Sequence, residues 1–453
     1  MNFTADHLHQ VLSGWPSPSR YRVALSGGLD STVLLHALAG LRDRLGIPVA
    51  AIHADHGLQA ASAEWAGHCA TLCETLDIPY DSIQLQLSPQ RGESTEALAR
   101  QARYAAFAAS MVEGELLLSA QHQDDQAETL LLQLLRGAGV AGLAAMPALA
   151  DLGPGRLGRP LLAVSRAALE DYARQHDLHW IEDPSNQSLD FDRNYLRHEI
   201  MPRLKARWPA AAATLSRSAG HCADADRTLR AFAAEDLSLC RLTPCRLLSQ
   251  PLLQLPVERQ ANLLRAWIAD AGLPVPPSHK LGRVLDELIP ARADAAPLVA
   301  WSGAELRRYR DELWLMPPLE PIAANWQQAW SGDAPLVLPA DLGGLAVMPG
   351  PGGIAPDRWQ AGEVRVAFRR EGLSCTPAGR QGSRSLKKLF QDLDVPPWLR
   401  ERVPLLFIDG ELAAVGDYVV CAPFAAQGLG IQLHWQRPVW FEHADPEADD
   451  EEE

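Results

Sequence analysis

The sequence predicts an α/β protein: a doubly wound parallel sheet at the N-terminus, then a helical middle domain, then a mixed, mainly β C-terminal domain. Three observations predict it. Strand-like and helix-like patterns alternate over about the first two hundred residues, which is the signature of a parallel sheet with helices on both faces. A Ser-Gly-Gly turn links the first apolar run to an apolar-rich helical pattern. Beyond Pro209 the alternation gives way to long helical patterns, and beyond Pro317 to short apolar runs punctuated by Gly, Pro and Trp. At 453 residues the chain is too long for one ordinary core. The expected divisions are 1–208, 209–316 and 317–441, with 442–453 an acidic, disordered tail. No fixed-period repeat is present.

Each element has its own warrant. YRVAL (21–25), PVAAIHA (48–54), DSIQLQL (81–87) and ELLLSA (115–120) are short apolar or alternating runs that read as strands. Helical stretches fall near 31–44, 62–76, 94–111 and 124–136. The third, STEALARQARYAAFAASM, joins strong helix formers to an opening Ser/Thr suited to an N-cap. SRAALEDYARQH reads as a further helix and LHWIED as a fifth strand. In such sheets ligands bind beyond the carboxyl ends of the strands, so the loops starting at Ser26, Asp55 and Gln121 are expected on one rim. In the helix near 124–136, Leu130, Leu131, Leu134 and Leu135 form the apolar stripe expected to dock it on the sheet.

With 47% apolar and 21% charged residues, the composition is globular. No apolar run approaches the roughly eighteen residues of a membrane span, and MNFTADHLHQ lacks the pattern of a secretory signal. Seven cysteines show no CxxC pair and no disulfide framework, so reduced thiols in a cytoplasmic protein are expected. Cys69 and Cys73, four apart on a helix, read as packing residues. The net charge of −15 argues against a nucleic-acid partner less than it first suggests. Eight acidic residues lie in the tail FEHADPEADDEEE, whereas 368–402 holds eight Lys or Arg against four acidic residues. A phosphate backbone responds to such a local basic surface.

Four motifs carry candidate chemistry. In SGGLDS (26–31), glycines at a strand–helix junction let phosphate approach backbone N–H groups at a helix N-terminus, and the hydroxyls of Ser26 and Ser31 add donors. A Walker loop would need GxxxxGK[ST] and a dinucleotide site GxGxxG; neither is present. The loop resembles the PP-loop of ATP pyrophosphatases, which implies grip on a pyrophosphate leaving group, with Asp30 reaching phosphate through Mg²⁺. In AIHADHGL (51–58), His53 and His56 lack a third nitrogen ligand and read better as lining of an adenosine pocket than as a metal site. In SAQHQDDQAET (119–129), Asp124 suits the helix dipole. His122, Asp125 and Glu128 gather at the helix start, fit for metal ligation, recognition of a cation, or proton transfer. Finally, Arg100 and Arg103 share a helix face and Arg193 and Arg197 bracket NYL, each able to stabilise developing phosphate charge if near the rim.

Together SGGLDSTVLLH, HADHGL, EALARQARY, AQHQDDQAETLLLQLLRG, WIEDPSNQSLDFDRNYLR and GRQGSRSLKKLFQDLDVPPWLRERVPLL resemble the bacterial tRNA(Ile)-lysidine synthetases, over about residues 20–205 and 365–420. SGGxDS alone would indicate only the superfamily; the DRNYLR block and the basic C-terminal block are more specific. The resemblance implies an adenine-nucleotide-α-hydrolase-like catalytic domain and C-terminal tRNA binding. It implies a ligase that adenylates C2 of the wobble cytidine of CAU-anticodon tRNA(Ile) and then joins free L-lysine to it, releasing AMP and pyrophosphate. The codon read then changes from AUG to AUA and the amino acid from Met to Ile. ATP and Mg²⁺ are the implied cofactors and a homodimer the implied assembly. Mapped onto this chain, Ser26, Gly27, Gly28, Leu29, Asp30 and Ser31 would bind ATP, with Asp30 on Mg²⁺. Asp125 and Glu128 would receive the lysine ammonium or help deprotonate its amine. Asp30, His122, Asp125 and Arg197 would be catalytic, and Arg369, Arg370, Arg380, Arg384, Lys387 and Lys388 would contact tRNA. A sulfur-delivering relative would need paired active-site cysteines or an iron–sulfur cluster, but no CxxC is present and no Cys lies in the rim motifs; an amidating synthetase would need an N-terminal Cys or a glutaminase pattern, and the sequence shows neither.

Overall fold

The computed structural model describes residues 2–55, 62–85, 95–182, 187–292, 295–368 and 372–441. The chain forms two compact units, Met1–Thr228 and Leu229–Glu453. The first is built on six strands, β1 (Arg20–Ala24), β2 (Val49–Asp55), β3 (Tyr80–Gln84), β4 (Glu115–Leu118), β5 (Leu149–Leu152) and β6 (Gly155–Gly158), in the order β3-β2-β1-β4-β6-β5. Every neighbouring pair is parallel except β5–β6. β4 is buried throughout and β2 over all but its last residue, as expected of strands covered on both faces.

Side-chain alternation assigns the two faces. Val23, Leu116 and Leu118 point to the side covered by helices Leu29–Ala39 and Arg166–Gln175. Ile52, Ala54, Leu117 and Leu157 point to the other, where helix Thr95–Ser110 packs through Phe107. Parallel register brings the carboxyl ends of β1, β2 and β4 to one edge, so the loops after them share the expected rim.

Two expectations fail here for physical reasons. LHWIED does not form a strand: its described part, Leu178–Glu182, is irregular, and the Ile181 N–H instead donates to Gly27 O at 2.9 Å. The place beside β4 is taken by the β5–β6 hairpin, whose Gly-rich sequence LADLGPGRLG carries little strand signal. The leucine stripe of helix Gln123–Leu135 is also misassigned. Leu134 and Leu135 are 57% and 76% exposed. Leu130 is buried, and Leu131 packs with Met201 and Ala212. The helix is instead held through its polar first half: Asp124, Asp125, Gln126 and Glu128 are all buried. The Gln126 side-chain amide clasps Met146, donating to its O at 2.8 Å and accepting from its N at 3.0 Å.

The second unit adds helices Val257–Asp270 and Ser278–Arg283 and, beyond the helical expectation, a five-stranded antiparallel sheet that includes Ala304–Tyr309 and Glu312–Met316. Trp267, Leu263, Leu313 and Leu315 share its core. C-terminal to this lie a second five-stranded sheet and a three-stranded sheet, the latter pairing Gly344–Pro351 with Leu429–Gln436. Against the expectation of reduced thiols, Cys375 and Cys421 form a disulfide with Cα atoms 5.6 Å apart. Sequence spacing gave no sign of it, because 46 positions separate the two and only tertiary contact brings them together. Cys69 and Cys73 are buried packing residues as expected; burial pushes their thiols up to about 12 and about 11. Among the described residues no helix is long and apolar enough to cross a membrane.

Candidate active site

At the end of β1 the chain turns sharply through Ser26-Gly27-Gly28. Gly27 has φ +80°, and a Cβ there would lie 3.1 Å from Cys69 Sγ, so both conformation and space call for glycine. Gly28 is the N-cap of helix Leu29–Ala39 and has no side chain to cap it, which leaves N–H groups at the helix start available to an anion. The Ser31 hydroxyl does not project outward. It lies 3.0 Å from Ser26 Oγ, 3.2 Å from Ser26 N and 3.1 Å from Gly28 O, tying the loop to itself. Ser31 therefore shapes the loop, Leu29 is buried beneath it, and the backbone N–H groups at the helix start are the donors left for an anion. Asp30 stands on the first turn with Oδ1 buried and without a hydrogen-bond partner. An unsatisfied carboxylate oxygen beside a phosphate loop fits a hard divalent cation, which for Mg²⁺ takes one or two carboxylates plus substrate phosphates.

The helix following β4 brings the second group. His122 is its N-cap: Nδ1 accepts from the Asp124 N–H at 3.2 Å, while Asp125 Oδ2 accepts from the His122 N–H at 3.0 Å. This reciprocal cap fixes the buried imidazole with Nε2 directed at 3.6 Å to Asp30 Oδ2 and 3.4 Å to Asp125 Oδ2. Burial alone would lower the His122 pKa; the hydrogen bond with Asp30 and the charges of Asp125, Asp30 and Asp124 outweigh it and raise it. The backbone donor at Nδ1 opposes that pull, since it selects the neutral Nε2–H tautomer.

Asp125 and Glu128, one helical turn apart, are gripped by two arginines. Arg197 Nε donates to Glu128 Oε1 at 2.8 Å, and its Nη2 to Asp125 Oδ1 at 2.8 Å and Glu128 Oε2 at 2.9 Å. Arg193 makes the parallel but longer set, Nε to Glu128 Oε2 at 3.0 Å and Nη2 to Asp125 Oδ1 at 3.2 Å. Burial would raise Asp125, but His122, Arg193 and Arg197 hold it below the usual carboxylate range. Burial opposes the charge of Arg197, but Glu128, Asp125 and Asp30 raise its pKa. The arginines sit on Asp192–Tyr195 and on a π-helical turn, Leu196–Ile200, a wider turn often found at functional sites. Lys205, on the next helix, pairs with Asp124, whose other oxygen accepts the Arg166 N–H at 3.2 Å. Those contacts overcome burial and lower the Asp124 pKa.

A third group lies on the other flank of His122. Gln121 Nε2 donates to Tyr104 Oη at 3.3 Å, and the Arg100 and Arg103 guanidinium carbons lie 5.2 and 6.0 Å from the Tyr104 ring centroid. Arg159, which directly follows β6 and is only 7% exposed, lies beside the same phenol and donates to Pro147 O at 2.7 Å. Sequence reasoning named Arg100 and Arg103 but missed Arg159, Tyr104 and Lys205. Arg159 sits in a Gly-rich stretch that shows no pattern, and nothing local marks the other two.

The remaining expected residues fall as follows. His53 is buried, with Nδ1 2.9 Å from Leu25 O, and serves the strand end; His56 lies outside the described residues. Arg380, Lys387 and Lys388 are exposed, the two lysines on helix Leu386–Asp392. Arg384 is paired with Asp392. Arg369, Arg370 and the acidic tail lie outside the described residues.

Residues 3–204 match a PP-loop domain model, 247–314 a TilS substrate binding domain and 364–435 a TilS substrate C-terminal domain. A tRNA(Ile)-lysidine synthase of Methylococcus capsulatus is 46% identical over 94% of this chain and 99% of its own length. The synthases so named in Pseudomonas aeruginosa and Coxiella burnetii are 46% and 42% identical, covering 95% and 94% of this chain and 96% and 95% of theirs. With the phosphate-type loop, the acid–arginine cluster beside it and similarity along nearly the whole length, the chain belongs to the tRNA(Ile)-lysidine synthase family.

Proposed function

We propose that this protein uses ATP to adenylate C2 of the wobble cytidine in CAU-anticodon tRNA(Ile) and joins free L-lysine to it, releasing AMP and pyrophosphate. One observation carries the reading: Asp30 of the phosphate-type loop and the His122–Asp125–Glu128 cluster meet across adjacent strands. The loop backbone from Ser26 to Ser31 holds the pyrophosphate portion of ATP. Mg²⁺, when bound through Asp30, neutralises the charge of that leaving group. His122 presents Nε2–H toward the reacting oxygens, and Arg197 supplies fixed positive charge for the phosphate.

Asp125 and Glu128 receive the lysine side chain. The depressed pKa of Asp125 keeps it ionised at neutral pH, which suits it to hold an ammonium and makes it a poor general base. Lysine reaches these carboxylates by exchanging with a guanidinium already on them, and Arg193, with the longer contacts, is the one to yield. Arg380, Lys387 and Lys388 contact tRNA, with Arg384 released from Asp392 when RNA binds; Arg369 and Arg370 complete that surface in this reading. A cytoplasmic homodimer with divisions near residues 208 and 316 belongs to the same proposal. The test is incubation with the tRNA transcript, ATP and labelled lysine: label should appear in the wobble nucleoside, and its absence with ATP still bound would refute the activity.

A further inference from the structure

A buried guanidinium needs an anion, and among the described residues none gives Arg159 a carboxylate. Arg159 is only 7% exposed, its Nε is buried without a hydrogen-bond partner, and the Tyr104 phenol beside it is what favours its charge. Among the described residues no carboxylate pairs with Arg159 or Arg100, whereas Asp124 and Asp125 on the same rim are matched by Lys205, Arg193 and Arg197. Burial and the charge of Arg100 both lower the Arg159 pKa. Burial would raise the Tyr104 phenol, but Arg100, Arg159, the Gln121 hydrogen bond and Arg103 together lower it. The site thus concentrates positive charge in a largely desolvated place, which is costly until an anion arrives.

We propose that Arg100, Arg159, Tyr104 and Gln121 form a receptor for one backbone phosphate of the RNA beside the reacting nucleotide. The inference rests on the proposed tRNA substrate and adds where the RNA is gripped within the catalytic unit. Position favours RNA over ATP. The pyrophosphate loop leaves β1, His122 follows the neighbouring β4, and Arg159 follows β6, one strand further out. At about 4.8 Å per strand, Arg159 therefore stands about 10 Å from the strand bearing the ATP loop. Gln121 precedes His122 in the chain, so a phosphate held here sets its attached base next to the imidazole. Guanidinium forks and a phenol suit a phosphodiester, which they position without reading sequence.

The test measures binding of the tRNA(Ile) transcript and, separately, of ATP to wild type, R100Q, R159Q and R159K. R100Q and R159Q should each weaken tRNA binding by about tenfold, as for a lost charge-assisted contact. The slope of log affinity against log salt should become shallower by about 0.7 to 0.9. R159K should recover much of the loss, and ATP affinity should stay at the wild-type value. A transcript with a neutral methylphosphonate next to the wobble nucleoside should bind wild type more weakly but R100Q no more weakly than the ordinary transcript. R100Q is half-buried and stands if R159Q fails to fold. Unchanged tRNA affinity and salt slope in R100Q would overturn the site, as would loss of ATP affinity with tRNA binding intact. Wild-type protein that binds no tRNA would instead refute the proposed function.

Discussion

Two charged clusters flank the 121–122 junction, and they are built on opposite principles. On one side Asp124, Asp125 and Glu128 are matched by Lys205, Arg193 and Arg197, so each carboxylate already has an internal cation. On the other, Arg100 and Arg159 gather round a phenol without a carboxylate partner among the described residues. The difference teaches what each side awaits. A compensated acidic cluster is stable alone and takes up a cation by exchange, whereas an uncompensated cationic one is completed by an anion from outside. Between them His122 faces Asp30, where ATP would be cleaved.

The largest effect that would sharpen this contrast lies at their shared centre. Asp30→Ala should reduce AMP release at least about 10²- to 10³-fold, the scale of losing a preorganised electrostatic contact to the leaving group. AMP formation at the wild-type rate would mean Asp30 has no part in it. Next, Glu128→Gln should raise the KM for lysine by about 10- to 100-fold through loss of one charge-assisted contact. Arg193→Gln tests the exchange itself: removing the competitor should lower the lysine KM by several-fold, since an occupied site reduces apparent affinity in proportion to occupancy. A raised KM would place Arg193 among the lysine contacts instead.

The smallest effect concerns stability. Asp124 and Asp125 have native pKa values depressed below their ordinary ones. Their stabilisation is therefore complete above the ordinary carboxylate range, about pH 4, and is lost as pH falls through the lower native values. Asp124→Asn should lower the melting temperature at neutral pH and flatten the acid-side decline. An acid-side profile parallel to wild type would show that the Lys205 pair contributes no pH-dependent stability.

Much of this was legible from sequence, and what was not has physical causes. SGGLDS and HQDDQAET lie at strand ends, where local pattern and function coincide, so both appeared on the expected rim. The leucine stripe misled because periodicity shows an apolar face without showing what covers it; the Gln126 clasp on Met146 has no periodic signature. LHWIED has the composition of a strand but pairs with Gly27 instead of a neighbouring strand. Arg159 became visible only when the β5–β6 hairpin set it beside Tyr104, an arrangement made by tertiary contact alone.

The central claim is that the two clusters serve different substrates, and paired steady-state kinetics tests it most directly. KM for lysine and KM for tRNA should be measured side by side in Glu128→Gln and Arg100→Gln. The account predicts a crossed result: Glu128→Gln moves the lysine KM and leaves that for tRNA near wild type, while Arg100→Gln does the reverse. Both variants shifting the same KM, or each shifting both equally, would contradict it.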